Sequence, residues 1–293
     1  LNKYIRMLNT DDLVNFEEMD TGIEDDYVER IFHRLSTGNH RLYGLFLDNQ
    51  MVSMGGYTIF ADHFAMLGRL RSDRLFRGNN FATELISYII EEALQLTKIQ
   101  WIGANTQMDN LPARRVLEKL GLIPHEPLHG AITKDTSALE TGSKPWTPIH
   151  SLERKKFWLN QKYLNSFSLF PYEVYYSFPA SKNLFQEHDL MNWSFYENED
   201  QTRFLITKKD RKGDHYLHIV YPWSDISSQK GLWETISTDF RHLTEKSEGD
   251  TYIWMDLSVE AAKTLPSNHN FELSSPWVLY EVDRNMWDKN EDL

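Results

Sequence analysis

The chain has 293 residues, 31 Lys and Arg against 43 Asp and Glu, a formal net charge of −12, and no cysteine. That length accommodates two domains of ordinary size, and the missing cysteines rule out disulfides, thiolate metal sites and a covalent acyl-cysteine intermediate. An acidic chain without a basic stripe is not expected to bind nucleic acid, and no apolar run approaches the ~18 residues of a membrane span.

Residues 3–8 read as a first strand, and Asn9-Thr10-Asp11-Asp12 offers cap chemistry for a helix running to Met19. A second helix is expected over 25–35, stopping near Thr37-Gly38-Asn39. Residues 41–47, 51–60 and 65–71 look like antiparallel strands, with Asp48-Asn49-Gln50 as the first turn. The stretch from Leu70 to Ala82 then runs out of a strand through Arg77, Gly78, Asn79 and Asn80 into an amphipathic helix. Phe81, Leu85, Ile86, Ile89, Ile90 and Ala93 fall on its apolar stripe. Backbone N–H groups at such a helix start face outward at the positive end of the dipole, which suits phosphate. Arg77 adds a permanent charge, and Gly78 lets the backbone approach closely. A strand at 99–104 and a helix from Leu111, capped by Asn110 with Pro112 in its first turn, follow.

Composition shifts at 133–148, where Ser, Thr, Gly and Pro read as a linker or crossing segment. Beyond it, strands are expected at 203–208, 215–221, 251–257 and 277–283. Helices are expected at 230–244 and near Val259-Glu-Ala-Ala-Lys. The mixed order indicates α+β rather than a doubly wound parallel sheet.

Two motifs carry a family resemblance. Arg77-x-x-Asn80-x-Ala82 resembles the Arg/Gln-x-x-Gly-x-Gly/Ala pyrophosphate loop of the GNAT N-acetyltransferases. Asn110-x-x-Ala113, leading to Leu120-Gly121-Leu122, resembles that family's Asn-x-x-Ala helix with its Gly-Phe ending. The resemblance implies a mixed, largely antiparallel sheet flanked by helices. It also implies direct transfer of an acetyl group from acetyl-CoA to a primary amine, without a metal; the acidic balance favours such a cationic acceptor, and the absence of cysteine agrees with a cytoplasmic location. Under it, Leu70, Arg71 and Ser72 pair with the pantetheine arm. Arg77, Gly78, Asn79, Asn80, Phe81 and Ala82 hold the pyrophosphate, and Asn110 touches the arm. Residues 1–135 are expected to form this domain, 136–150 a linker, and 151–293 a second, degenerate copy. In that copy Ser224 to Gly231 lacks the loop spacing and puts Asp225 in the path of an anion.

The chain departs from the family pattern at Asn80, which replaces a glycine, and at Leu117, which replaces the tyrosine proposed to reprotonate the thiolate. Tyr57, Tyr88, a tyrosine of the second half, or water are the substitutes for that acid. Without one, the chain is an acyl-CoA-binding or regulatory module, or a scaffold. Asp73, beside the loop, is the first candidate base, with a turn role as its alternative. Asp62-His63 lies in a strand connection away from the chemistry. His125-Glu126-Pro127-Leu128-His129 has the letters of a zinc-protease helix, but Pro124 and Pro127 break that helix. Glu153-Arg154-Lys155-Lys156 reads as a solvated helix face, and the tryptophans of the second half as core.

Overall fold

Period-two alternation of apolar side chains sets the first sheet. β1 (Lys3–Met7), β2 (His40–Leu47), β3 (Gln50–Phe60) and β4 (Phe64–Ser72) pair antiparallel in sequence order, and β5 (Trp101–Gln107) joins β4 in parallel. The computed structural model describes residues 2–290. One face of this sheet carries α1 (Leu13–Glu17) and α2 (Tyr27–Leu35), whose Phe16, Val28 and Phe32 meet Leu42, Phe46 and Met54. The other carries α3 (Phe81–Gln95) and α4 (Leu111–Lys119). There Leu85, Ile89 and Leu117 meet Tyr57, Leu67, Ile102 and Ala104. A two-residue strand, β6 (Ile123–Pro124), ends this part of the chain.

Pairing of β3 with β4 shifts register between Met54, opposite Arg71, and Gly56, opposite Gly68. β4 therefore carries one extra residue, and Arg69 sits there with φ +59°. This bulge bends the strand where its ladder with β5 ends.

The second unit is Glu126–Trp277. Its elements are β7 (Leu128–Thr133), β8 (Thr147–Pro148), α5 (Leu152–Leu159), β9 (Leu169–Glu173), β10 (Tyr176–Pro179), α6 (Glu187–Asn192), β11 (Ser194–Glu197) and β12 (Phe204–Lys212). β13 (Asp214–Val220), α7 (Leu232–Lys246), β14 (Thr251–Ser258), α8 (Val259–Lys263) and β15 (Glu272–Leu273) complete it. The sheet runs β7-β14-β13-β12-β11-β8, with β13 and β14 parallel and β15 added to β7. β9 and β10 form a separate hairpin.

The chain then returns. β16 (Trp277–Asp283) and α9 (Arg284–Asn290) follow, and the residues from Val278 onward belong to the first unit. There β16 lies beside β5, and its Tyr280 and Glu281 pair with Pro124 and Ile123. Val278, Tyr280 and Val282 bury in the same cluster as Ile102 and Leu117.

This division differs from the expected breaks at 135 and 151. Residues 128–133 are a strand of the second unit, and Val278 onward completes the first. The supposed linker is also built in: Leu139 and Trp146 are buried among Leu217, Leu232 and Trp233. Polar composition concealed two apolar anchors. Lys155 likewise is not on a solvated face. It is buried, and its Nζ donates to the carbonyls of Leu190 at 2.6 Å and Trp193 at 2.8 Å.

Candidate functional site

The parallel ladder of β4 and β5 begins at Phe64 and Trp101 and ends at Leu67 and Ala104. Both strands continue, β4 to Ser72 and β5 to Gln107. Two strands that stop pairing while still extended offer main-chain donors and acceptors to a third, extended group.

Just past β4, Asp73 caps a short turn over Arg74–Phe76, accepting from Leu75 N at 2.9 Å and Asp20 N at 3.4 Å. Arg77 is extended, Gly78 has φ +84°, and Asn80 has φ +65° at the cap position of α3. No side chain caps this helix. The first bond into it is Glu84 N–H to Asn80 C=O at 3.0 Å, so the amides of Phe81, Ala82 and Thr83 precede the intrahelical ladder. Gly78 has nothing within 4 Å of where a Cβ would stand, so its backbone is approachable. Arg77 is exposed and donates to Thr21 O at 2.9 Å. Lys119 Nζ reaches Asn80 Oδ1 at 3.3 Å and brings the end of α4 to this loop. Main-chain donors, a guanidinium and an ammonium thus meet at one helix start, an arrangement that can hold a pyrophosphate.

The other expected residues fall as follows. Leu70 packs toward the α3 side, partly buried in that cluster. Arg71 does not stand free: its Nε and Nη2 grip Asp26 at 2.5 and 2.9 Å, and Asp26 also caps α2 through Val28 N. Burial opposes the charge of both groups, but their mutual bonds prevail, lowering Asp26 and raising Arg71. Ser72 Oγ is 3.3 Å from Ser53 Oγ. Asn110 caps α4 through Ala113 N at 3.3 Å and is otherwise exposed. Asp73 is buried, and each of its oxygens accepts one amide in a capping role.

Residues 7–122 match the model of the acetyltransferase (GNAT) family. This segment is a GNAT domain. No curated protein matches the chain in sequence. Among solved structures, a GCN5-related N-acetyltransferase from Sphaerobacter thermophilus aligns over 96% of this chain and 95% of its own, at 13% identity and TM-score 0.56. A Pyrococcus horikoshii protein provisionally named an acetyltransferase aligns over 97% and 90%, at 11% and 0.52. Arabidopsis thaliana NAA60, solved with acetyl-CoA, aligns over 44% and 91%, at 15% and 0.39. For the Sphaerobacter and Pyrococcus proteins, at these identities, the likeness is one of fold. The family is one of acyltransferases, and its mixed α+β fold is that of the first unit.

Within the GNAT domain, Leu117 is buried among apolar side chains of α3 and β5. Tyr57 and Tyr88 both pack against Tyr43 beneath α3, at 6.3 and 5.9 Å between ring centroids. The hydroxyl that meets α4 comes from Tyr280: it accepts from Arg114 Nε at 3.0 Å and donates to Glu118 Oε1 at 2.7 Å. Burial raises this phenol. On the opposite face of the same strand, Glu281 accepts from Trp101 Nε1 at 2.7 Å and lies 3.1 Å from His125 Nε2. The bonds from His125 and Trp101 lower this half-buried carboxylate. Neither residue was found in the sequence, since β16 lies more than 150 positions from the motifs; only the strand itself was legible.

His125 and His129 serve different partners, Glu281 and the carbonyl of Ser274, and no helix spans them. Among the described residues, no group of three or more His, Asp or Glu is placed to hold a metal, and no helix is long and apolar enough to cross a membrane.

Proposed function

We propose that the GNAT domain binds acetyl-CoA and transfers its acetyl group to a primary amine by direct attack. The observation that carries this reading is the conjunction of two features on consecutive elements. The β4–β5 ladder opens past Leu67 and Ala104, and the uncapped α3 start follows directly from β4 through Arg77, Gly78 and Asn80. The pyrophosphate lies against the amides of 78–83, with Arg77 and Lys119 beside it. The pantetheine arm runs along Leu70, Arg71 and Ser72, past Asn110. A main-chain N–H of the opened strand polarises the thioester carbonyl.

The amine must arrive neutral, although its ordinary pKa near ~10 keeps it protonated at pH 7. Asp73, beside the loop, is the candidate proton acceptor: each of its oxygens accepts one amide and keeps a further lone pair. The nitrogen bonds to the carbonyl carbon, the C–S bond breaks, and the proton that the nitrogen sheds as the amide forms passes through water to the departing thiolate. With a thiol pKa of about 8.5 it is a fair leaving group unaided.

The remainder of the chain supports a second, degenerate copy. Parallel β13 and β14 flank α7, which starts from a left-handed Gly231 as α3 starts from Asn80. That start is covered. Lys144 O would stand 2.2 Å from a Cβ on Gly231, and Trp146 N and Nε1 donate to Thr235 Oγ1 and Lys230 O, both at 2.8 Å. Asp225 is tied to Arg203, Tyr221 and Gln229.

The test is a calorimetric titration with acetyl-CoA of the intact chain and of an Arg77→Ala, Asn80→Asp variant. Micromolar binding lost in the variant is expected; no binding by the intact chain would refute the reading. The burial of Leu117 favours one rival, a module that binds acyl-CoA without turning it over. Release of free thiol from acetyl-CoA in the presence of amines separates the two.

A further inference from the structure

On the face of the first sheet opposite α3, a positive site lies beside the opened strands. Alternation defines the face. Leu67, Tyr57 and Ile59 pack on the α3 side, so Gly68 and Thr58 face the other way. The bulge turns Arg69 to that same face, and its Nη1 donates to Thr58 Oγ1 at 2.7 Å. Thr58 also meets His40 Nδ1 at 2.8 Å. Among the described residues Arg69 has no carboxylate partner, in contrast to Arg71, which is bound to Asp26 two residues on.

The surroundings are cationic in an acidic chain. Burial, then Arg69, Arg34 and Arg41, push His40 down to about 4, and no carboxylate acts on it. His40 is therefore neutral at pH 7. Arg41 spends its Nη1 on the carbonyls of Gly38 and His40, which leaves the local positive charge uncompensated. The floor is bare: a Cβ on Gly68 would have nothing within 4 Å, and its backbone angles do not demand glycine. Gly68 directly follows Leu67, the last residue of β4 paired with β5.

We infer that this site selects acceptors carrying a carboxylate close to the reacting amine, with Arg69 binding the carboxylate over the floor of Gly68. In an α- or β-amino acid only two or three bonds separate the amine from the carboxylate carbon, so a group that binds the carboxylate has to lie beside the opened strands, as Arg69 does two residues past Leu67. A partly buried guanidinium without an acid partner is the group that such an anion satisfies. The bulge makes this possible by turning a side chain that would otherwise face α3. The inference rests on the acetyl-transfer reading, to which it adds the acceptor class.

The test compares α-amino acids with the amines left by removing their carboxylate, lysine beside cadaverine and phenylalanine beside phenethylamine. Acetylation kinetics and calorimetric binding to the acetyl-CoA complex are both measured. The carboxylated members are expected to lead by about tenfold in kcat/KM. Arg69→Gln is expected to cut that ratio by about tenfold, Arg69→Lys to keep part of it, and Gly68→Val to block acceptor binding. Equal rates for both classes, or a ratio that Arg69→Gln leaves unchanged, would overturn the inference. Acetyl-CoA bound but neither class bound nor acetylated would overturn it alone. Failure to bind acetyl-CoA would instead remove the reading beneath it.

Discussion

Asn80 holds a left-handed backbone without glycine, which asparagine tolerates better than most residues because its short amide can bond locally. A β-branched residue tolerates it far less. Asn80→Val should cost about 1–2 kcal/mol in urea denaturation and weaken acetyl-CoA markedly. Asn80→Gly should leave stability within about 1 kcal/mol and retain binding. His40 gives a pH signature. Its proton affinity is lower in the folded state than the usual 6.5, falling to about 4, so the unfolded chain binds the extra proton between those values. Stability therefore declines as pH falls from 6.5 toward 4, and His40→Gln should flatten that slope by about one proton. Residue identity made the open loop into α3 legible, because Arg77, Gly78 and Asn80 are local in sequence. The bond of Asp73 to Asp20 N was not legible, since it comes from a loop more than 50 positions away.

Elements were read well where periodicity was strong. The helices at 81–95 and 111–119 fell where expected, and so did β2 to β4 within two residues at either end. The bulge in β4 escaped, because one inserted residue changes facing without changing composition. Two predictions belong at this scale. Asp26 is buried, paired with Arg71 and caps α2, so Asp26→Ala strands a guanidinium that is itself mostly buried. The expected loss is about 3–5 kcal/mol by urea denaturation. At α7, the segment through Lys144 and Trp146 covers the helix start that α3 leaves open. Acetyl-CoA should therefore titrate with one site per chain, and Arg77→Ala should weaken that site rather than expose a second of different affinity.

For the molecule as a whole, chain order and spatial order diverge. The sequence divides near 135–150 by composition, whereas the first unit closes only with residues from Val278. Val278, Tyr280 and Val282 are nearly or fully buried, each contributing about 1.5–3 kcal/mol by burial. Their sum rivals the 5–15 kcal/mol that stabilises an ordinary domain. Ending the chain at Trp277 should therefore unfold the first unit in thermal melts and abolish acetyl-CoA binding. Far-UV dichroism would retain a large ordered fraction if the second unit survives on its own. No local pattern announces such a return, because a strand's sequence states its period and not its neighbour.

The return of β16 also sets a timetable. On the ribosome, residues up to His125 emerge first but wait for the strand that covers Ile102 and Leu117 until the whole of the second unit has been synthesised. At ordinary elongation rates that wait is on the order of ten seconds, long against the time a small domain needs to collapse. The nascent first unit thus carries an open strand edge throughout, so chaperone dependence during synthesis follows from the order in which the strands are made.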